Sequence, residues 1–273
     1  MLDRGVGLDP GNRPQRRAQS QLIEADRMSA IGRMACLISH DMRHSLTAIY
    51  ANAEFLERPD RCASTRADLL LEIQETVLRM TERIDSLLQF GSGGRNNPLV
   101  HERVSLIVEN AIAAVKFHPD GRSVSITAGN FPPAEADIDA RSLESAIYNL
   151  LLNACQAVTR STHVPEVQIQ LTEVDERICV NILDNGPGIP ASVRRTLFDP
   201  FVTAEKPNGT GLGLTLARRI AEDHGGTVCL EESNPGRTVF TLSLTKNRSL
   251  LLKDLESGRL SFEASSNGSA NCS

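Results

Sequence analysis

Three glycines spaced two residues apart, Gly209, Gly211 and Gly213, sit in the run Asn208-Gly-Thr-Gly-Leu-Gly-Leu214, where an apolar, helix-patterned segment begins. Without a Cβ, such residues reach positive φ and let the backbone close on a ligand. A helix that opens on them turns several N–H groups, and the positive end of its dipole, toward an anion such as a phosphate. Upstream comes Asp184-Asn-Gly-Pro-Gly-Ile189, a carboxylate at the end of an apolar run followed by Gly186 and Gly188. Earlier again is Asn149-Leu-Leu-Leu-Asn153, two amides one helical turn apart and therefore on one face. Amide oxygens suit Mg2+, which keeps part of its hydration and shares phosphate oxygens. Two amides among Leu150, Leu151, Leu152 and Ala154 are costly to bury without a use. A different chemistry stands in Ser39-His-Asp-Met-Arg-His-Ser-Leu-Thr-Ala-Ile49. A neutral imidazole nitrogen such as that of His40 is a nucleophile near neutral pH, and the carboxylate of Asp41 follows it directly in the chain.

The elements that must position these residues fall into two textures. From Gln21 to Glu57 the pattern is helical, with apolar or small positions at Ile31, Met34, Ile38, Met42, Ser45, Ile49, Asn52 and Leu56. His40 lies off that seam and is expected on the outside. After the breaker Pro59-Asp-Arg, Ser64 or Thr65 can cap a second helix whose Leu70, Ile73, Val77, Met80, Ile84 and Leu87 keep a heptad spacing. The pair reads as an antiparallel helical hairpin. Two helices cannot cover both apolar stripes, so dimerisation into a four-helix bundle is expected. A Gly/Asn-rich linker (93–98) ends this segment (21–92). The following part (99–246) has an α+β texture: helices over 105–116, 141–158 and 212–224, with Asp139 as a cap, and strands over 123–128, 135–138, 167–174, 178–183, 227–231 and 238–244. Residues 1–20 and 247–273 are polar and read as a disordered lead-in and tail.

Composition narrows the function. A net charge of −5, no Trp and only 8 Phe with 2 Tyr argue against a nucleic-acid partner. The six cysteines show no C-x-x-C spacing and no secretory leader opens the chain, so a reduced, cytoplasmic setting is expected. No stretch has the ~20 apolar residues of a membrane span.

With four boxes in order, the His40 segment, Asn149 to Ala157, Asp184 to Ile189, and Leu197-Phe-Asp-Pro-Phe201 leading into Gly209 to Leu214, the chain resembles the two-component sensor histidine kinases from about Asp26 to Thr245. The resemblance implies a dimerisation and phospho-acceptor hairpin followed by an α+β sandwich of the Bergerat type that binds ATP. It implies that His40 takes the γ-phosphoryl group and passes it to an Asp of a response-regulator receiver domain, with Asp41 assisting. Asn153 and Asn149 then hold Mg2+, Asp184 accepts from the adenine amine, and Gly186 and Gly188 let the backbone pass under the base. Phe198 and Phe201 anchor a lid over Thr203 to Asn208. Thr203, Lys206, Gly209, Thr210, Gly211, Leu212 and Gly213 complete the nucleotide contacts.

Two positions depart from the family pattern. Ser45 stands where a helix-kinking Pro is usual, so helix 1 is expected to run straighter beside His40. His44 stands where a Thr, Asn or Gln usually orients a water, so weak dephosphorylation of the receiver is expected. No stretch of sensor-domain size precedes Gln21; the signal then comes through a separate sensor protein, or the chain is a soluble orphan kinase or a truncated product. The rivals are an ATPase of the gyrase, chaperone and mismatch-repair kind, which would carry Glu at Asn149 and a large following domain, and a catalytically silent dimeric adaptor.

Overall fold

The structure is a computed structural model, and it describes residues 39–58, 62–91, 98–159, 164–202 and 211–246. The chain divides into two compact units, Met1–Gly93 and Gly94–Ser273.

In the first unit, helix α1 is described over residues 39–56 and α2 is Ala63–Gly91. They run antiparallel: Arg66 donates to the carbonyl of Leu56 near the turn (2.9 Å), and Arg83 reaches Asp41 at the other end (3.0 Å). Of the positions expected on the α1 seam, Met42, Ser45, Ile49, Asn52 and Leu56 are half-buried, and Ile31, Met34 and Ile38 lie outside the described residues. On α2 the single heptad seam divides. Ile73, Met80, Ile84 and Leu87 are half-buried in the hairpin, whereas Leu70 and Val77 stay exposed, as do Leu46 and Tyr50 of α1. A 3.6-residue helix rotates a seven-residue repeat slowly around its axis, so one string of apolar residues serves two faces. The expected cap at Ser64 or Thr65 gives way to Cys62, whose carbonyl accepts from the Arg66 N–H (3.1 Å). The two hydroxyls lie 3.1 and 3.0 Å from its thiol instead. Those contacts, Ser64 first, pull the thiol down to about 7.

The second unit is a five-stranded mixed sheet with helices packed on one face. Its order is β2 (Ser125–Ala128), β4 (Glu166–Val174), β5 (Arg177–Asp184), β7 (Arg237–Thr245), β6 (Thr227–Asn234). Only the β2–β4 pair is parallel. A separate antiparallel ribbon joins β1 (Val100–Arg103) to β3 (Glu135–Ile138). Alternation sets the inner face: Ile169, Ile182 and Phe240 form one cross-strand row, and Leu171, Val180 and Leu242 the next. Over these pack α3 (Val104–Phe117), α5 (Ala140–Val158) and α7 (Gly213–Asp223), while α4 (Pro119–Arg122) and α6 (Ala191–Arg194) are single turns. The expected cap holds, since the Asp139 carboxylate accepts from the Ser142 N–H at 3.2 Å. The hairpins β4–β5 and β6–β7 turn on positive φ, with Asp175 at 52° and Gly236 at 84°. Strand β1 and the two single turns were not anticipated: each is four residues long, too short for a periodic signal. The lead-in and the tail lie outside the described residues.

Candidate functional site

On the hairpin, His40 sits on the outer side of α1 with its side chain 65% exposed. The position follows from the seam, because Met42, Ser45 and Ile49 take the inner face and leave position 40 outside. Its Nδ1 faces Asp41 Oδ1 at 3.6 Å. The other oxygen of Asp41 accepts from Arg83 Nη1 at 3.0 Å, and the Arg83 side chain is only 13% exposed. A nearly buried guanidinium from α2 thus fastens the carboxylate beside the histidine. Arg83 was not singled out from the sequence; it is 42 residues from Asp41 and no local pattern links them. The helix continues unbroken through Ser45, as expected without a proline. His44, one turn on, brings its Nε2 to 3.3 Å from that of His40.

In the second unit, the chemistry gathers along α5. Asn149 and Asn153 emerge on one half-buried face of that helix, and Asn149 Nδ2 donates to the Ser145 carbonyl (2.9 Å). The first residue of α7 meets them. A Cβ added at Gly213 would lie 3.1 Å from Asn149 Oδ1 and 3.6 Å from Asn153 Nδ2. The glycine run and the two amides, separate in sequence, are therefore brought into one place. Their convergence, with room kept by a missing Cβ, fits a hydrated Mg2+ shared with phosphate oxygens.

One further turn along α5, Ala157 packs against Gly186, where a Cβ would come within 3.1 Å of the alanine Cβ and 2.8 Å of Asp184 Oδ1. Asp184 ends β5 in the inward register, level with Val167 and Thr238 on the flanking strands, and is 5% exposed. The strand's own alternation places this carboxylate on the core side, where Ile178, Val180 and Ile182 precede it. The Gly186 N–H donates to it at 2.9 Å. Its charge, after burial itself and the carboxylate of Asp120, helps push the Cys155 thiol on α5 up to about 12. Gly188, at φ 81°, passes so close to Asn234 that a Cβ would lie 3.1 Å from its carbonyl carbon.

The loop base is closed by backbone. Phe201, at φ 72°, donates its N–H to the Gly211 carbonyl (2.9 Å), and Gly211, at φ 65°, leaves no space for a Cβ, which would lie 2.5 Å from Phe201 C. Phe198 lies edge-on to Phe240 at 6.4 Å, with the Arg218 guanidinium 4.2 Å above its ring. Leu212 is fully buried. Thr203, Lys206, Gly209 and Thr210, expected in the lid and glycine run, lie outside the described residues.

A residue the sequence reading passed over is His224. It is buried, its Nε2 accepts from the Asp139 N–H at 3.0 Å, and its Nδ1 lies 2.7 Å from the Ile220 carbonyl. It ties the end of α7 to the start of α5.

Two family models match the chain: the His Kinase A (phospho-acceptor) domain over residues 30–96, and the histidine kinase-, DNA gyrase B- and HSP90-like ATPase over residues 138–248. The chain is 31% identical over 252 residues to the sensory histidine kinase/phosphatase NtrB of Rhodobacter capsulatus, covering 87% of this chain and 68% of that protein. It is 32% identical over 239 residues to the C4-dicarboxylate transport sensor protein DctB of Rhizobium meliloti, covering 84% of this chain. The chain spans 37% of the length of that protein and 29% of that of the nitrogen regulation protein NtrY of Azorhizobium caulinodans. Among solved structures, histidine kinase ThkA in complex with the response regulator protein TrrA shares the fold. Its TM-score is 0.60 at 19% identity, over 84% of this chain and 66% of that one.

Proposed function

The chain belongs to the two-component sensor histidine kinases, and from that premise we propose that it phosphorylates itself on His40 with ATP and Mg2+ and passes the phosphoryl group to an Asp of a response-regulator receiver domain. The observation that carries the reading is the exposed His40 with Asp41 beside its Nδ1 and Arg83 behind the carboxylate. An ATPase that only activates water has no use for that arrangement.

Asp41 on the Nδ1 side leaves Nε2 as the nucleophile. The Nε2 lone pair forms a bond to the γ-phosphorus, the bond to the β,γ-bridging oxygen breaks, and ADP leaves with that electron pair. The Nδ1 proton is then free to pass to Asp41 or to solvent. In the second half a carboxylate oxygen of the receiver attacks the same phosphorus, the N–P bond breaks, and the imidazole recovers its proton. Asn149 and Asn153 would hold Mg2+, which supplies charge neutralisation on the phosphates. Asp184 would accept from the exocyclic amine of adenine, and Gly186 would let the base lie against the strand end. Positioning accounts for most of the rate in such transfers. Thr203, Lys206, Gly209, Thr210, Gly211, Leu212 and Gly213 would form the loop over the phosphates.

The working form is a homodimer: Leu46, Tyr50, Leu70 and Val77 leave an apolar face of the hairpin exposed, and the matched phospho-acceptor domain supports such pairing. The solved ThkA complex with a response regulator supports the class of partner. No helix among the described residues is long and apolar enough to cross a membrane; the reaction needs a compartment that supplies ATP, and the cytoplasm is the proposed one.

The test is labelling of the purified chain with γ-labelled ATP and Mg2+. The label should be acid-labile and alkali-stable, should be absent in His40→Gln, and should move to an added receiver domain. Undiminished labelling of His40→Gln would refute the assignment.

A further inference from the structure

His44 is the neighbour that the reaction above leaves without a task. Its Nε2 lies 3.3 Å from His40 Nε2, with ring centroids 4.5 Å apart and planes tilted by 57°. Residues four apart stack on one helix face, and the unbroken helix across Ser45 keeps that register regular. Donor and acceptor counting sets the direction of the contact. Asp41 is ion-paired with Arg83 at 3.0 Å, so it only accepts, and its second oxygen stands 3.6 Å from His40 Nδ1. Its negative charge favours a proton on the near nitrogen of a neutral His40 without bonding it, and so inclines a bare Nε2 toward His44. Of two facing imidazole nitrogens one must donate, and here it is that of His44.

We propose that His44 is a positioning residue for phosphoryl transfer. Its Nε2–H holds His40 in the Nδ1–H tautomer, keeps the nucleophilic Nε2 unprotonated, and turns to a phosphoryl oxygen once Nε2 carries the group. The inference rests on the histidine kinase reading of His40. At 3.3 Å the resting contact is long against the ~2.7–3.2 Å of a good N–H hydrogen bond, so it parts readily when the nucleotide arrives. The later partner is an anionic oxygen, and hydrogen bonds to ionised acceptors are shorter and about twice as strong. His44 thus favours phospho-His40 over the free imidazole. A tautomer lock of this kind also explains how an imidazole is tolerated where a water-orienting amide is usual.

The experiment uses the full chain with 15N-labelled histidine, as wild type, His44→Ala and His44→Gln. Without nucleotide, the 15N shifts of His40 should report a bare Nε2 in wild type and a mixture of tautomers in His44→Ala. With ATP and ADP at a fixed ratio, the phosphorylated fraction at equilibrium, as phosphorylated over unphosphorylated, should fall about three- to tenfold in His44→Ala. The KM for ATP should hold, and His44→Gln, which keeps an N–H donor, should restore part of the loss. A His40 tautomer unchanged in His44→Ala, or a proton on Nε2 in wild type, overturns the inference. A wild-type chain that never takes label defeats the kinase reading alone, because the tautomer measurement needs no nucleotide.

Discussion

Substituting Gly213 with Ala separates the proposed metal–nucleotide site from the fold around it. The added Cβ would stand 3.1 Å from Asn149 Oδ1 and 3.6 Å from Asn149 Cγ, and no backbone atom is among its three nearest neighbours. The amide must therefore give way. Turning it breaks the hydrogen bond from Nδ2 to the Ser145 carbonyl, 2.9 Å long, which is worth ~0.5–1.5 kcal/mol net. It also moves the oxygen offered to the cation. At 1.4 kcal/mol per factor of ten, affinity for Mg2+ with a non-hydrolysable ATP analogue should fall about two- to tenfold. The helix pulls the other way. Gly213 opens α7, and Ala is favoured over Gly in helices by at most ~1 kcal/mol, less in the first turn. The lost hydrogen bond and the helix gain oppose each other, so the melting temperature of the nucleotide-free chain should stay within ~4 °C of wild type. Calorimetric titration gives the first quantity and a thermal melt the second. Unchanged affinity in the folded variant would refute the idea that the glycine keeps Asn149 in place. A melting temperature that falls by more than ~4 °C together with affinity would make Gly213 a packing position instead.

The remaining predictions concern assembly and pH. Val77 is 48% exposed on the hairpin, whereas Ile84 is half-buried within it. Val77→Glu should therefore abolish the proposed dimer while leaving helicity intact, since burying an unpaired carboxylate costs several kcal/mol; sedimentation and circular dichroism together check this, and a surviving dimer sinks the assigned face. His101 on β1 lies 3.0 Å from Asp137 and 3.3 Å from Glu135, both on the paired strand β3, and those contacts, Asp137 first, raise its pKa above the ordinary value. A raised folded pKa contributes stability that is complete below the unfolded value of ~6.5 and is lost as pH rises through the folded one. The melting temperature should thus decline on going up through that window, and His101→Gln should flatten the decline. The effect should be small and salt-sensitive, because the cluster is exposed and screened; a steeper fall in His101→Gln than in wild type would contradict the sign.

Much of this was legible along the chain, and the reason is locality. Asp139 caps α5 and bonds to Ser142 three residues on; Asp175 and Gly236 turn hairpins of adjacent strands. Those decisions involve a few neighbouring residues, and the residue types announce them. Asn149 and Asn153 likewise betray themselves by polarity beside Leu150, Leu151, Leu152 and Ala154. What escaped needs two distant segments at once. Arg83 belongs with Asp41 only when the hairpin closes, and β2 lies parallel to β4 although both strands carry ordinary alternation. Phe201 takes positive φ, a conformation its bulky side chain does not advertise, and its N–H meets the carbonyl of Gly211, ten residues on. The division of the α2 seam escaped for a related reason, since a heptad says which residues are apolar but not which of two partners each one meets.

The geometry of the proposed nucleotide site follows from α5 acting as a ruler. Positions 149, 153 and 157 recur one turn apart and face the same way, so contacts to Gly213 at one end and Gly186 at the other lie ~12 Å apart along the axis. That separation suits a ligand with phosphates at one end and a flat base at the other. A ruler is useful only if its neighbours cannot slide. Gly186 is held because Asp184 ends a strand paired on both sides, with Val167 and Thr238 as partners. Gly213 is held from the far end of its own helix, where buried His224 accepts the Asp139 N–H at the start of α5. The two helices run antiparallel, so a bond joining the end of one to the start of the other fixes how far the first glycine of α7 reaches along α5. His224 touches neither end of the ruler, yet it sets where Gly213 meets Asn149. A buried histidine remote from any ligand thereby becomes part of how the site keeps its length.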